Sequence, residues 1–153
     1  VVDQHALQAV HFLDLVDEVG SQRLDAPDRV VLVEGAGGLL VRLADDYTLA
    51  DIASALGAPL VVVTSLGLGS LNLAELTCEQ ARARGLDVLG IIGGAMPEVP
   101  DLPTRLNVEE LPEVTGAEYW GHMPEGCGSL DAAEFAEVAW NAIGEAVRVG
   151  SHA

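Results

Sequence analysis

Glu34 leaves the end of an apolar run, Val30-Val31-Leu32-Val33, and is followed at once by Gly35, Ala36, Gly37 and Gly38. A carboxylate at such a corner can hold a magnesium ion, while the glycine amides, free of side-chain obstruction, can face an oxyanion or phosphate. A second corner, Leu68-Gly69-Ser70-Leu71-Asn72, follows the apolar run Val61 to Thr64. Ser70 is placed to cap a helix there. Its first-turn amides and dipole would then receive a carboxylate or phosphate, and Asn72 would add a polar group. Each corner also has a plainer reading. The first could be a glycine turn beside a solvated glutamate, the second an ordinary Gly-Ser start of a helix.

The elements around these corners alternate in period. Ala6, Ala9, Val10, Leu13 and Val16 recur at helical spacing until Gly20. Val30 to Val33 then reads as a strand buried on both faces, and a helix follows from Thr48, a plausible N-cap, to Leu56. Leu60 to Thr64 repeats the strand signature, Leu71 to Arg84 the helix, and Val88 to Ile92 the strand. Beyond Gly93, prolines at 97, 100, 103 and 112 suggest a loop-rich stretch with a short helical segment near Leu106 to Leu111. A small strand at Tyr119 to His122 and a last helix from Asp131 to Val147 complete the chain. Strands alternating with helices predict an α/β fold, a parallel sheet with helices on both faces. No internal boundary divides residues 1–153. In such sheets, chemistry gathers where strands end and helices begin.

Composition removes several alternatives. The chain has 153 residues, seven arginines, no lysine and 24 acidic residues, for a formal charge of -17. Schiff-base or lysine-base chemistry is therefore outside these residues, as is a P-loop lysine on a phosphate. Nucleic acid and anionic membrane are poor partners for such a field. Cys78 and Cys127 form no C-x-x-C, and His5, His11, His122 and His152 show no metal-ligand spacing. No apolar run approaches the ~20 residues that span a bilayer. A reduced, cytoplasmic setting is expected.

The segments VVLVEGAGGLLV, VVVTSLGLGSLNLAELT and LDVLGIIGG, in this order, resemble the C-terminal two-thirds of ATP-dependent dethiobiotin synthetases. That family closes a ureido ring. An amine of 7,8-diaminopelargonic acid takes up carbon dioxide as a carbamate, ATP phosphorylates the carbamate, and the second amine displaces phosphate. The resemblance implies that Glu34 is a magnesium ligand and that Glu34, Gly35, Ala36 and Gly37 lie along the nucleotide phosphates. It implies that Gly38, Leu68, Gly69, Ser70, Leu71 and Asn72 hold the substrate, its carboxylate at Gly69 to Asn72 across a homodimer interface. Gly94 falls where relatives often place an adenine-reading asparagine after the strand ending at Ile92. Met123, Pro124 and Glu125 fall in the base-contacting loop.

The family also carries a strand, a lysine-bearing P-loop and a second strand with another lysine and a magnesium-binding aspartate, none of them within this sequence. They are expected upstream of Val1. The fold implied is P-loop NTPase-like but without the P-loop strand, an incomplete single domain that is inactive alone, because phosphoryl transfer needs the cationic half of the site. Two other readings stand beside it. One is a catalytically dead binding or dimerisation module, the other a related P-loop ATPase of the cobyrinic-acid amidating or partitioning type.

Overall fold

A parallel strand needs partners that take up its ladder, and the chain supplies them in one stretch. The computed structural model describes residues 16–21, 30–44 and 47–150. They fall into two compact units, one within Val1–Ala58 plus Arg84–Leu86, the other Pro59–Ala83 plus Asp87–Ala153.

The second unit holds the sheet. Its elements are β1 (Leu60–Thr64), α2 (Ser70–Ala83), β2 (Val88–Met96), α3 (Leu102–Thr115), β3 (Tyr119–Pro124), a 3₁₀ turn (Cys127–Ser129) and α4 (Ala132–Gly150); α1 (Leu49–Leu56) belongs to the first unit. The strands are parallel in the order β1-β2-β3, with Thr64 beside Gly93 and Gly93 beside His122. The crossovers between these parallel strands carry α2 and α3 over the same face. There Val62, Cys78, Ile91 and Ala117 form one buried cluster, and Leu66, Ala74 and Leu111 form a second. Tyr119 packs against both. α4 lies against β3, with Gly121 close to the Ala142 carbonyl. The other face of β1 stays open, Val61 being 42% and Val63 69% exposed, whereas the apolar run suggested burial on both faces.

Two boundaries move outward from the expected ones. β2 continues past Ile92 to Met96, because Gly93 and Gly94 serve close packing rather than a turn. A Cβ on Gly93 would stand 2.6 Å from the Tyr119 hydroxyl, 2.8 Å from His122 Cβ and 2.9 Å from Leu66 Cδ2. α3 spans 14 residues where a short segment within a loop was expected. Asp101 caps it by accepting from the Thr104 amide at 2.9 Å, Pro103 sits in the first turn where no donor is missed, and Pro112 falls in the last turn.

In the first unit, Thr48 precedes α1 as expected. Its amide and hydroxyl donate to Asp51 Oδ2 at 2.7 and 2.6 Å. Tyr47, Ala50, Ile52 and Ala53 are buried there. The strand expected at Val30 to Val33 is not formed. Val30 is 81% and Leu32 90% exposed, so most of the apolar run stays at the surface, and the strands that pair all belong to the other unit. Of the first expected helix, residues 16–21 are helical; positions 1–15 lie outside the described residues.

Candidate functional site

The C-terminal ends of the three strands form the edge at which an α/β sheet presents its loops. After Thr64 the chain passes through Ser65 to Gly69 and turns into α2. Gly69 takes φ +88°, a conformation that favours glycine, and its carbonyl accepts from Leu73 at 3.3 Å. Gly69 is therefore the residue that begins the helix. Ser70 was expected to cap it and does not. Its hydroxyl is buried and donates backward to the Gly67 carbonyl at 2.6 Å, and its amide donates to the same carbonyl at 3.2 Å. Ser70 fastens the loop instead. The next two amides, of Leu71 and Asn72, are first-turn donors without a carbonyl four residues back inside the helix. Asn72 is exposed, and Leu68 at the loop tip is 93% exposed.

A residue that sequence reasoning passed over holds this corner. Asn107 on α3, 8% exposed, donates through Nδ2 to the Leu66 carbonyl at 2.9 Å, the Gly67 carbonyl at 2.7 Å and Ser70 Oγ at 3.1 Å. Its partners lie about forty positions away, so no local pattern marks it. The available signal was a lone carboxamide on the apolar side of a helix, among Thr104, Leu111 and Thr115, which are also buried.

Along the same edge, Gly94 lies within β2, not after it, because the strand runs to Met96. Ala95 pairs with Met123 and Met96 with Pro124, and the Glu125 amide donates to the Met96 carbonyl at 2.8 Å. The structure thus brings Gly94 and Met123 to Glu125 together, one strand over from the Leu68 to Asn72 corner. A Cβ at Gly94 would stand 3.3 Å from the Thr64 carbonyl. Behind them the Tyr119 hydroxyl and His122 Nδ1 are 3.1 Å apart, and burial pushes the Tyr119 phenol up to about 12. That phenol stays protonated through the neutral range.

The Glu34 corner belongs to the first unit. Glu34 is exposed, and the following glycines form turns with φ +90° at Gly37 and +110° at Gly38. A Cβ on Gly35 would meet Leu49 Cδ2 at 2.8 Å, so the turn is pressed against the first residue of α1. The Gly38 carbonyl accepts from Val41 at 3.3 Å, and the Leu39 carbonyl from Ala50 at 3.2 Å, which ties the turn to that helix. An exposed carboxylate beside a glycine turn suits one coordination position of a hard cation. Among the described residues no group of three or more His, Cys, Asp or Glu side chains is placed to hold a metal. Nor is any described helix long and apolar enough to cross a membrane.

A family model described as an AAA domain matches residues 3–127. The chain is 63% identical over 107 residues to an ATP-dependent dethiobiotin synthetase of Corynebacterium glutamicum strain R, covering 70% of this chain and 48% of that protein. Over 132 residues it is 54% identical to the enzyme of the same name from Corynebacterium diphtheriae, 86% of this chain and 59% of the relative. Over 115 residues it is 60% identical to that of Corynebacterium kroppenstedtii, 75% of this chain and 50% of the relative. The chain spans about half the length of the curated relatives it matches.

Proposed function

This chain belongs to the AAA domain family, and from that premise we propose that it carries part of an ATP-dependent dethiobiotin synthetase. The observation that supports the reading most is the match to the Corynebacterium diphtheriae enzyme, which at 86% of this chain cannot avoid either glycine corner.

In this reading the two corners take different ends of one reaction. Leu71 and Asn72 donate their first-turn amides to the carboxylate of 7,8-diaminopelargonate, with Leu68 beside its chain, across the interface of a cytoplasmic homodimer. One amine adds to carbon dioxide as a carbamate. Phosphoryl transfer from ATP then gives a carbamoyl phosphate, and the second amine attacks its carbon, expelling phosphate as the ring closes. Glu34 would supply one carboxylate oxygen to a magnesium ion, whose chemistry when bound is to neutralise charge on the transferring phosphoryl group. The amides of Gly35, Ala36 and Gly37 line the phosphates, and Gly94 with Met123 to Glu125 borders the base. With no lysine among its 153 residues, the chain lacks the lysine share of the phosphate site.

The test supplies that share. The chain is joined behind the N-terminal part of the Corynebacterium diphtheriae relative, and phosphate release is followed with magnesium, ATP and bicarbonate. Release that depends on diaminopelargonate, and falls at least about 100-fold in Glu34→Gln, is expected, since a lost charge-neutralising contact costs several kcal/mol of transition-state stabilisation. Diaminopelargonate binding without turnover would instead make the chain a binding module.

A further inference from the structure

We propose that Asn107 is a positioning residue for the carboxylate corner. It keeps the Leu71 and Asn72 amides aimed outward without itself touching substrate, and this rests on the assignment of that corner to a carboxylate.

The loop from Ser65 to Gly69 has no ladder of its own, and two of its carbonyls turn inward. Both end on Asn107 Nδ2, with Leu66 at 2.9 Å and Gly67 at 2.7 Å. The Gly67 carbonyl also takes the Ser70 hydroxyl at 2.6 Å, and that hydroxyl takes Asn107 at 3.1 Å. Two amide hydrogens are thus shared among three acceptors that bracket the start of α2. Leu66, 2% exposed, packs with Ala74 of α2 and Leu111 of α3 and anchors the other side of the loop. No other side chain on α3 donates to this loop among the described hydrogen bonds. A carboxamide is suited to this work, because it presents two donors without bringing charge beside an anion site. An aspartate of the same shape would turn acceptors toward two carbonyls and set a negative charge behind the carboxylate.

Backbone amides bind an anion well only when they are already aimed at it, because ordering a loop on binding is charged against affinity. Removing Asn107 frees the Gly67 to Gly69 turn while leaving the Leu71 and Asn72 amides chemically intact. Affinity for a carboxylate then falls, and affinity for a neutral molecule of the same length does not.

The full chain is titrated with heptanoate and with heptanamide while backbone amide NMR shifts are followed. In the parent, heptanoate moves the Leu71 and Asn72 amides downfield and heptanamide does not. In Asn107→Ala the heptanoate dissociation constant rises roughly fivefold to tenfold, about the worth of one net hydrogen bond. At the same time the Gly67 to Gly69 amides broaden or exchange faster, and those of β2 and α4 keep their positions. Should the alanine variant not fold, Asn107→Ser, whose hydroxyl can bridge to the carbonyls through water, shows the same loss at smaller size. An Asn107 variant that folds and keeps the parent's heptanoate affinity overturns the role of Asn107 and leaves the carboxylate assignment standing. A parent that binds neither probe at these amides overturns both.

Discussion

Gly93→Ala should destabilise the protein by about 2 kcal/mol, the cost of one methyl forced into a filled site less the backbone entropy an alanine saves. The new Cβ would stand within 3 Å of the Tyr119 hydroxyl, His122 Cβ and Leu66 Cδ2. None of these yields easily. His122 Cβ moves only with the backbone of β3, Leu66 is buried in the cluster with Ala74 and Leu111, and the Tyr119 ring packs against both clusters. For a chain of this size that loss lowers the melting temperature by about 4–8 °C. Thermal and urea unfolding of Gly93→Ala, Tyr119→Phe and the double variant provide the assay. Since the hydroxyl is the nearest obstacle, deleting it should recover part of the loss, so the double variant is more stable than additivity allows. A Gly93→Ala protein within about 0.5 kcal/mol of the parent, near the usual scatter for sites without such a feature, would refute the packing account of the long β2.

Three further outcomes are expected. Asp51 is held below the usual carboxylate range by the Thr48 hydroxyl and then by the Thr48 amide. Its contribution is complete above the ordinary value of 3.8 and is lost as pH falls through the lower folded-state value, so Asp51→Ala should cost about 0.5 kcal/mol at pH 7, solvent screening keeping the exposed contact weak, and less in acid, by circular dichroism melts across pH. Of the two thiols, Cys78 is 0% exposed and burial pushes its thiol up, whereas Cys127 is partly exposed. Ellman's reagent at pH 8 should label Cys127 in the native protein and Cys78 only on unfolding; rapid double labelling would contradict the core assignment. Ile91→Ala, at a fully buried centre of the sheet, should cost about 2–5 kcal/mol in the same unfolding assay.

The sequence was legible where the physics is local. The run Leu60 to Thr64 forms β1 as read, and Thr48 begins a helix ending at Leu56 as read. Val30 to Val33 has the same composition as Leu60 to Val63 of β1 yet forms no strand, because an apolar run specifies a parallel strand only when partners take up its ladder. Gly93 and Gly94 read in sequence as the end of β2, since propensity cannot distinguish a turn from a place where a tyrosine and a leucine press on the backbone. Pro103 and Pro112 suggested a loop, but proline is tolerated in the first turn of a helix, and tertiary contacts carry α3 past Leu111 to Thr115. At the candidate site both glycine corners were visible as composition. The direction of the Ser70 hydroxyl and the place of Asn107 were not, because both depend on contacts between α3 and a loop some forty residues earlier.

The proposed role of this chain is to contribute to closing a ureido ring at the expense of ATP. It is tested most directly by tracing the carbon. With ¹³C-bicarbonate, magnesium, ATP and 7,8-diaminopelargonate, the enzyme assembled from this chain and its relative's N-terminal part should give dethiobiotin one mass unit heavier, labelled at the ureido carbonyl, with one phosphate released per ring. Phosphate released without labelled dethiobiotin, or at a rate indifferent to the diamine, would contradict the account.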